Sequence, residues 1–88
     1  MNQPTHQIAV LDRGFVYVGT CALEGDMLTI TDARCIRRWG TTAGLGQLAL
    51  SGPTANTKLE NAGTVRAPVR SLIHLIDSDP ALWPAAAA

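Results

Sequence analysis

The chain has 88 residues, 47% of them apolar and 16% charged, and its seven basic and seven acidic side chains cancel to a formal charge of zero. That length suits one domain rather than two, and that apolar content excludes an intrinsically disordered chain. The charge balance argues against a protein that coats nucleic acid through a large basic excess, and nowhere do about 18 apolar residues run together to span a bilayer.

Residues 1–6 read as a flexible polar leader without the basic start and long apolar run of a secretion signal, so a reducing cytoplasm is expected. Residues 7–11 form a short apolar run that reads as a first strand. Asp12-Arg13-Gly14 supplies turn chemistry, with glycine free to take positive φ. Residues 15–23 are rich in β-branched and aromatic side chains and read as a longer strand, with Gly19 at a bulge or a close backbone approach. Glu24-Gly25-Asp26 turns the chain back into residues 27–31, where Leu28 and Ile30 alternate with Thr29 and Thr31 as in a half-buried strand. Two such short connections imply an antiparallel meander. Asp32-Ala33 then interrupts the alternation.

A helix is expected over residues 42–51, with Thr41 or Thr42 as its cap and Leu45, Leu48 and Ala49 on one face. Gly52 followed by Pro53 is the stop. Residues 54–63 are polar and rich in Asn and Gly, and read as a surface loop. Residues 64–69 alternate but contain Pro68, which cannot donate to a ladder and so marks an edge strand. Residues 72–76 read as a final buried strand, with a short helix as the competitor. Residues 80–88 form a loose tail unless Trp83 docks on the body. The expected fold is therefore a small β-rich α+β domain over residues 7–79: an antiparallel meander or open barrel of about five strands with one short helix.

Catalytic chemistry finds little footing here, and no enzyme activity is expected. His6 lies in the leader, and His74 sits within an apolar run, where it reads as a solvent-facing strand residue or a core imidazole. Asp77 and Asp79 before Pro80 read as a turn or cap rather than a metal site, and neither a cofactor nor a bound metal is called for. Gly44-Leu45-Gly46 lacks the surroundings of a phosphate loop. Cys21 and Cys35 read as free buried thiols, a bridge between them being the alternative.

Arg34, Arg37, Arg38 and Trp39 crowd within six residues just before the helix start at Thr41 and Thr42. Guanidinium forks match phosphate oxygens, an indole can stack on a base, and free N–H groups at a helix start favour an anion. Those are the parts of a nucleotide site. The competing reading packs Trp39 in the core or an oligomer interface and pairs the arginines with Asp12, Glu24 or Asp32. Tyr17 and Trp83 read as packing residues.

Ile30-Thr31-Asp32-Ala33-Arg34, with Ile36 and Trp39, followed by Leu45, Gln47, Leu48, Ala49 and Gly52, resembles a family of small proteins common in tailed phages and prophages. Asp32 stands where that family usually has asparagine, and Arg37 and Arg38 stand where it often has aromatic residues. The resemblance implies a phage-encoded accessory protein acting in the bacterial cytoplasm. By analogy of class and size it points to oligomeric sponges that sequester cyclic or ADP-ribose-derived nucleotide signals. The working expectation is a homo-oligomeric, non-catalytic nucleotide binder. Its alternatives are a phage structural or protein-interaction module and a small barrel that binds single-stranded nucleic acid.

Overall fold

The computed structural model describes residues 4–41 and 44–83. Five strands, β1 (Thr5–Leu11), β2 (Val16–Glu24), β3 (Met27–Arg38), β4 (Lys58–Pro68) and β5 (Leu72–Asp77), form one antiparallel sheet in the order β4-β3-β2-β1-β5. One helix, α1 (Leu45–Ser51), lies between β3 and β4. This is the small β-rich α+β architecture read from the strand patterning. No helix among the described residues is long and apolar enough to cross a membrane.

Both faces of the sheet are apolar, which a half-solvated sheet would not need. One face buries Ile8, Val16, Val18 and Ile36 under Leu48 and Ala49 of α1 and the indole of Trp83. The opposite face gathers Ala9, Leu11, Cys21, Leu28, Ile30, Ala33 and Ala67, with Leu72 and Leu75 against them, so every strand contributes to it. Among the described residues no helix covers that face, yet Ala9, Leu28 and Ile30 on it are fully buried, so the sheet curls around its own side chains, as an open barrel does. Cys21 lies within this cluster as a free thiol, and burial pushes its pKa up to about 11, which keeps it protonated near neutral pH.

The curl has a local cause. Register shifts in the β2–β3 ladder between Val18 and Thr20, and in the β3–β4 ladder between Ile30 and Ala33. Asp32 holds φ at 53° there, so the break in alternation is a bulge within one long strand rather than its end. At Gly19 a Cβ would stand 2.8 Å from Ile30 Cγ2 and 2.9 Å from the carbonyl oxygen of Thr31, so only glycine permits this approach. An inserted residue reverses the side-chain parity of everything after it. Leu28, Ile30 and Ala33 consequently share the curled face, whereas Arg34, opposite Val18, and Ile36 turn to the helix-covered one.

Four expectations need correction. The helix begins at Leu45, not at residue 42: Gly44 sits at φ 82°, which precludes a helical turn through it. Residues 54–63 are not all loop, because β4 starts at Lys58 and pairs with β3 through Arg38. Its side chains are mostly exposed, so the backbone ladder to β3 holds it rather than any apolar pattern. At the termini, the sheet takes in Thr5 and His6, and Trp83 is buried, so the body of the domain extends beyond residues 7–79 at both ends. As Pro68 implied, residues 64–68 belong to an edge strand; residues 72–77, expected as a buried strand, form the other edge instead, pairing with β1 alone and burying none of their side chains fully.

Candidate functional site

The sequence cluster at the end of β3 is divided by the pleat. Arg34 goes to the helix-covered face and is only 9% exposed. Arg37 and Arg38 are exposed, and Trp39, just past the strand, is 42% exposed and so is not consumed by the core. Thr41 does not cap the helix. Its hydroxyl accepts from the Gly44 N–H at 3.0 Å and donates to the Gly44 carbonyl at 3.1 Å, closing the turn before α1. Gly44 occupies the cap position without a side-chain bond, and a helix this short offers no anion site at its start. Thr42 lies outside the described residues.

What surrounds Arg37 was not visible in the linear cluster. A hollow of about 290 Å³ is lined by Arg13, Gly14, Phe15, Cys35, Ile36 and Arg37. Tyr17 pairs with Cys35, and continuing that register by two residues brings Phe15 beside Arg37. Arg13, at φ 60°, and Gly14, at φ 81°, form the tight 3-10 turn between β1 and β2 that brings a second guanidinium to the rim. The phenyl ring of Phe15 is 53% exposed. The signal that could have found these residues is the turn itself, an arginine and an aromatic flanking a glycine.

The charge here is largely uncompensated. Arg37 Nη1 lies 3.9 Å from Glu60 Oε1, a long and exposed pair that contributes little to stability. Among the described residues that is the only ion pair, so no arginine is neutralised by Asp12, Glu24 or Asp32. Arg38 sits across from Lys58 in the ladder, which adds a like charge rather than cancelling one.

The chain leaving β3 is fastened to residues 54–57. Thr57 Oγ1 donates to the Trp39 carbonyl at 2.7 Å, and Thr54 Oγ1 donates to the Gly40 carbonyl at 2.7 Å. Gly40 takes φ 65°, and a Cβ on it would fall 2.3 Å from the carbonyl carbon of Asn56. Gly40→Ala is therefore expected to cost about 2 kcal/mol, from left-handed strain and the displaced Asn56 backbone together. Chemical denaturation checks it; an unchanged midpoint would show that these two segments are not held in contact.

A second polar group lies on the helix-covered face. His6 Nδ1 and Ser78 Oγ share a hydrogen bond at 2.5 Å, and the imidazole lies 6.0 Å from the Trp83 ring, centroid to centroid. Burial and then the positive charge of Arg34 lower the His6 pKa, against the opposing pull of its bond to Ser78 and the charge of Asp79. A lowered folded-state pKa means that the unfolded chain takes up the proton first as pH falls. This group's contribution to stability is complete above its ordinary value near 6.5 and declines as pH falls through it toward the folded-state value. The thermal unfolding midpoint of the unliganded protein is expected to fall as pH drops through about 6.5, and His6→Gln to flatten that slope. Equal slopes in both proteins would contradict the assignment.

Comparison with family models, curated proteins and solved structures finds no match to the chain.

Proposed function

We propose that the protein is a non-catalytic nucleotide-binding module. Its ligand lies at the outer corner formed by the end of β3 and the turn between β1 and β2. Arg37, Arg38 and Arg13 hold the phosphates, and Trp39 stacks on the base, with Phe15 lining the hollow. The observation that carries this reading is a solvent-open hollow rimmed by two guanidinium groups and an exposed aromatic ring. Guanidinium forks and π-faces are the two chemistries a nucleotide presents partners for, and base stacking on an aromatic contributes about 1–3 kcal/mol. Arg34, turned to the opposite face, drops out of this site.

Self-association belongs to the same proposal. Leu50 is 81% exposed and Ile73 on β5 is 62% exposed, while β4 and β5 leave both sheet edges unpaired in a single copy. Light scattering coupled to size exclusion is expected to report an oligomer; a monomer at micromolar concentration would remove this part. The setting follows the motif resemblance: a phage accessory protein in the bacterial cytoplasm that sequesters a host immune nucleotide.

Isothermal titration against cyclic di- and trinucleotides and ADP-ribose derivatives tests the reading. Saturable binding of one nucleotide class by folded protein supports it. Silence across the set, from protein shown to be folded, removes it.

A further inference from the structure

On the helix-covered face, Arg34 is a charge without a counterpart. It is nine-tenths buried, its Nε has no hydrogen-bond partner, and among the described residues no carboxylate lies within ion-pair distance of its guanidinium. Trp83, 6% exposed, carries a second buried and unpartnered donor, its Nε1–H. Buried donors without partners are rare in folded proteins, and a buried unpaired cation is the costliest of them. Two such donors on one face of an 88-residue domain call for a common explanation.

The sheet register brings them near one another. Arg34 lies across from Val18, and Val18 across from Ile8, so Arg34 stands two strand spacings, about 10 Å, from β1. His6 is two residues along β1 from Ile8 and on the same face, and an extended arginine spans most of that gap. The Trp83 ring stacks obliquely over His6, at 50° between planes. Ser78 is bound to His6, and the Asp79 carboxylate accepts from the Ala81 N–H at 3.0 Å, which leaves it engaged as a cap. Helix α1, which covers this face, brings no charged residue. The groups facing one another are thus Arg34 from β3, His6 from β1 and the indole N–H from the C-terminal segment, all donors or potential cations apart from the committed Asp79.

We propose that Arg34, the Trp83 Nε1–H and His6 form a binding site for a phosphate-type oxyanion on the helix-covered face, separate from the outer corner and independent of the nucleotide reading. Guanidinium and indole N–H each donate to one oxygen, and His6 offers its remaining ring nitrogen. The phosphate is either free inorganic phosphate or the end of a phosphomonoester.

Thermal unfolding in inorganic phosphate, in AMP and in chloride at matched ionic strength and pH tests the site, using wild type, Arg34→Met and the Arg37→Glu/Arg38→Glu double variant. Phosphate at about ten times its dissociation constant should raise the wild-type midpoint by several degrees. The double variant should respond equally to inorganic phosphate, which keeps this result apart from the outer corner, and Arg34→Met should not respond. A response of the double variant to AMP as well, absent from Arg34→Met carrying the same two exchanges, assigns the site to phosphomonoesters; a response of the double variant to phosphate alone assigns it to the free anion. Should Arg34→Met fail to fold, the Trp83 indole N–H resonance of the wild type reads the same event, with a saturable shift expected on adding phosphate. An unmoved resonance, or equal stabilisation of wild type and Arg34→Met, overturns the proposal.

Discussion

Replacing Arg37 and Arg38 together by glutamate is expected to abolish nucleotide binding, at least a hundredfold in affinity, while leaving the fold intact. Both side chains are exposed, and the one ion pair they make is long, so little native structure depends on them. The two substitutions also act on neighbours of opposite sign. Glutamate at position 37 faces Glu60 and is repelled, whereas glutamate at 38 faces Lys58 and is attracted. These small terms oppose one another in stability. In binding they add, because each exchange removes a phosphate donor and puts a repelling carboxylate in its place. Titration with the nucleotide class that binds wild type, alongside circular dichroism, checks both halves. An unfolded double variant would show that the arginines are structural.

Leu48→Ala is expected to be the most damaging single truncation. Leu48 is fully buried on the helix-covered face, in the cluster that includes Ile8, Val18, Ile36 and Trp83. Buried leucine-to-alanine changes cost about 2–5 kcal/mol, and the middle of that range is expected here. A chain of this length has roughly 4–13 kcal/mol of total stability, so a loss of about 3 kcal/mol lowers the melting midpoint by roughly 12–24 °C. Leu50→Ala on the same helix is the control. Leu50 is 81% exposed, and its loss, measured at a protein concentration where the chain is monomeric, should change stability by no more than about 0.5 kcal/mol. Similar costs at the two positions would mean that α1 is not seated on Leu48.

Periodicity made the meander legible, since Leu28 and Ile30 against Thr29 and Thr31, and the β-branched run of β2, carry a period of two that belongs to no other element. The Leu45, Leu48 and Ala49 stripe and the Gly52 stop located the helix and its inner face, and Gly52 does end it at φ 79° with its N–H on the Leu48 carbonyl. The first half of β4 was illegible for a physical reason: at an edge, with exposed side chains, its strand character comes from the partner's backbone and leaves no apolar trace.

The site was harder still. Asp32 marked the break in alternation, and aspartate is among the residues that tolerate a left-handed φ. Whether the break ends a strand or bulges it depends on the neighbouring ladder, and that choice decides which face receives Arg34. Linear spacing joined Arg34 to Arg37 and Arg38; the bulge and the pleat send it to the other face. Arg13 and Phe15, some twenty residues upstream, complete the hollow only through strand pairing. His6 and Trp83 lie at opposite ends of the chain and meet because β1 and β5 are neighbours.

The most direct test reads the corner itself. In nitrogen-15 correlation spectra, the Trp39 indole N–H and the Arg37 and Arg38 Nε–H groups are followed while pooled cyclic nucleotides and ADP-ribose derivatives are titrated in. The account predicts that one pool moves these three signals together and saturably, with Arg13 Nε–H moving alongside. Spectra in which no pool disturbs them, from protein whose core resonances remain dispersed, would contradict it.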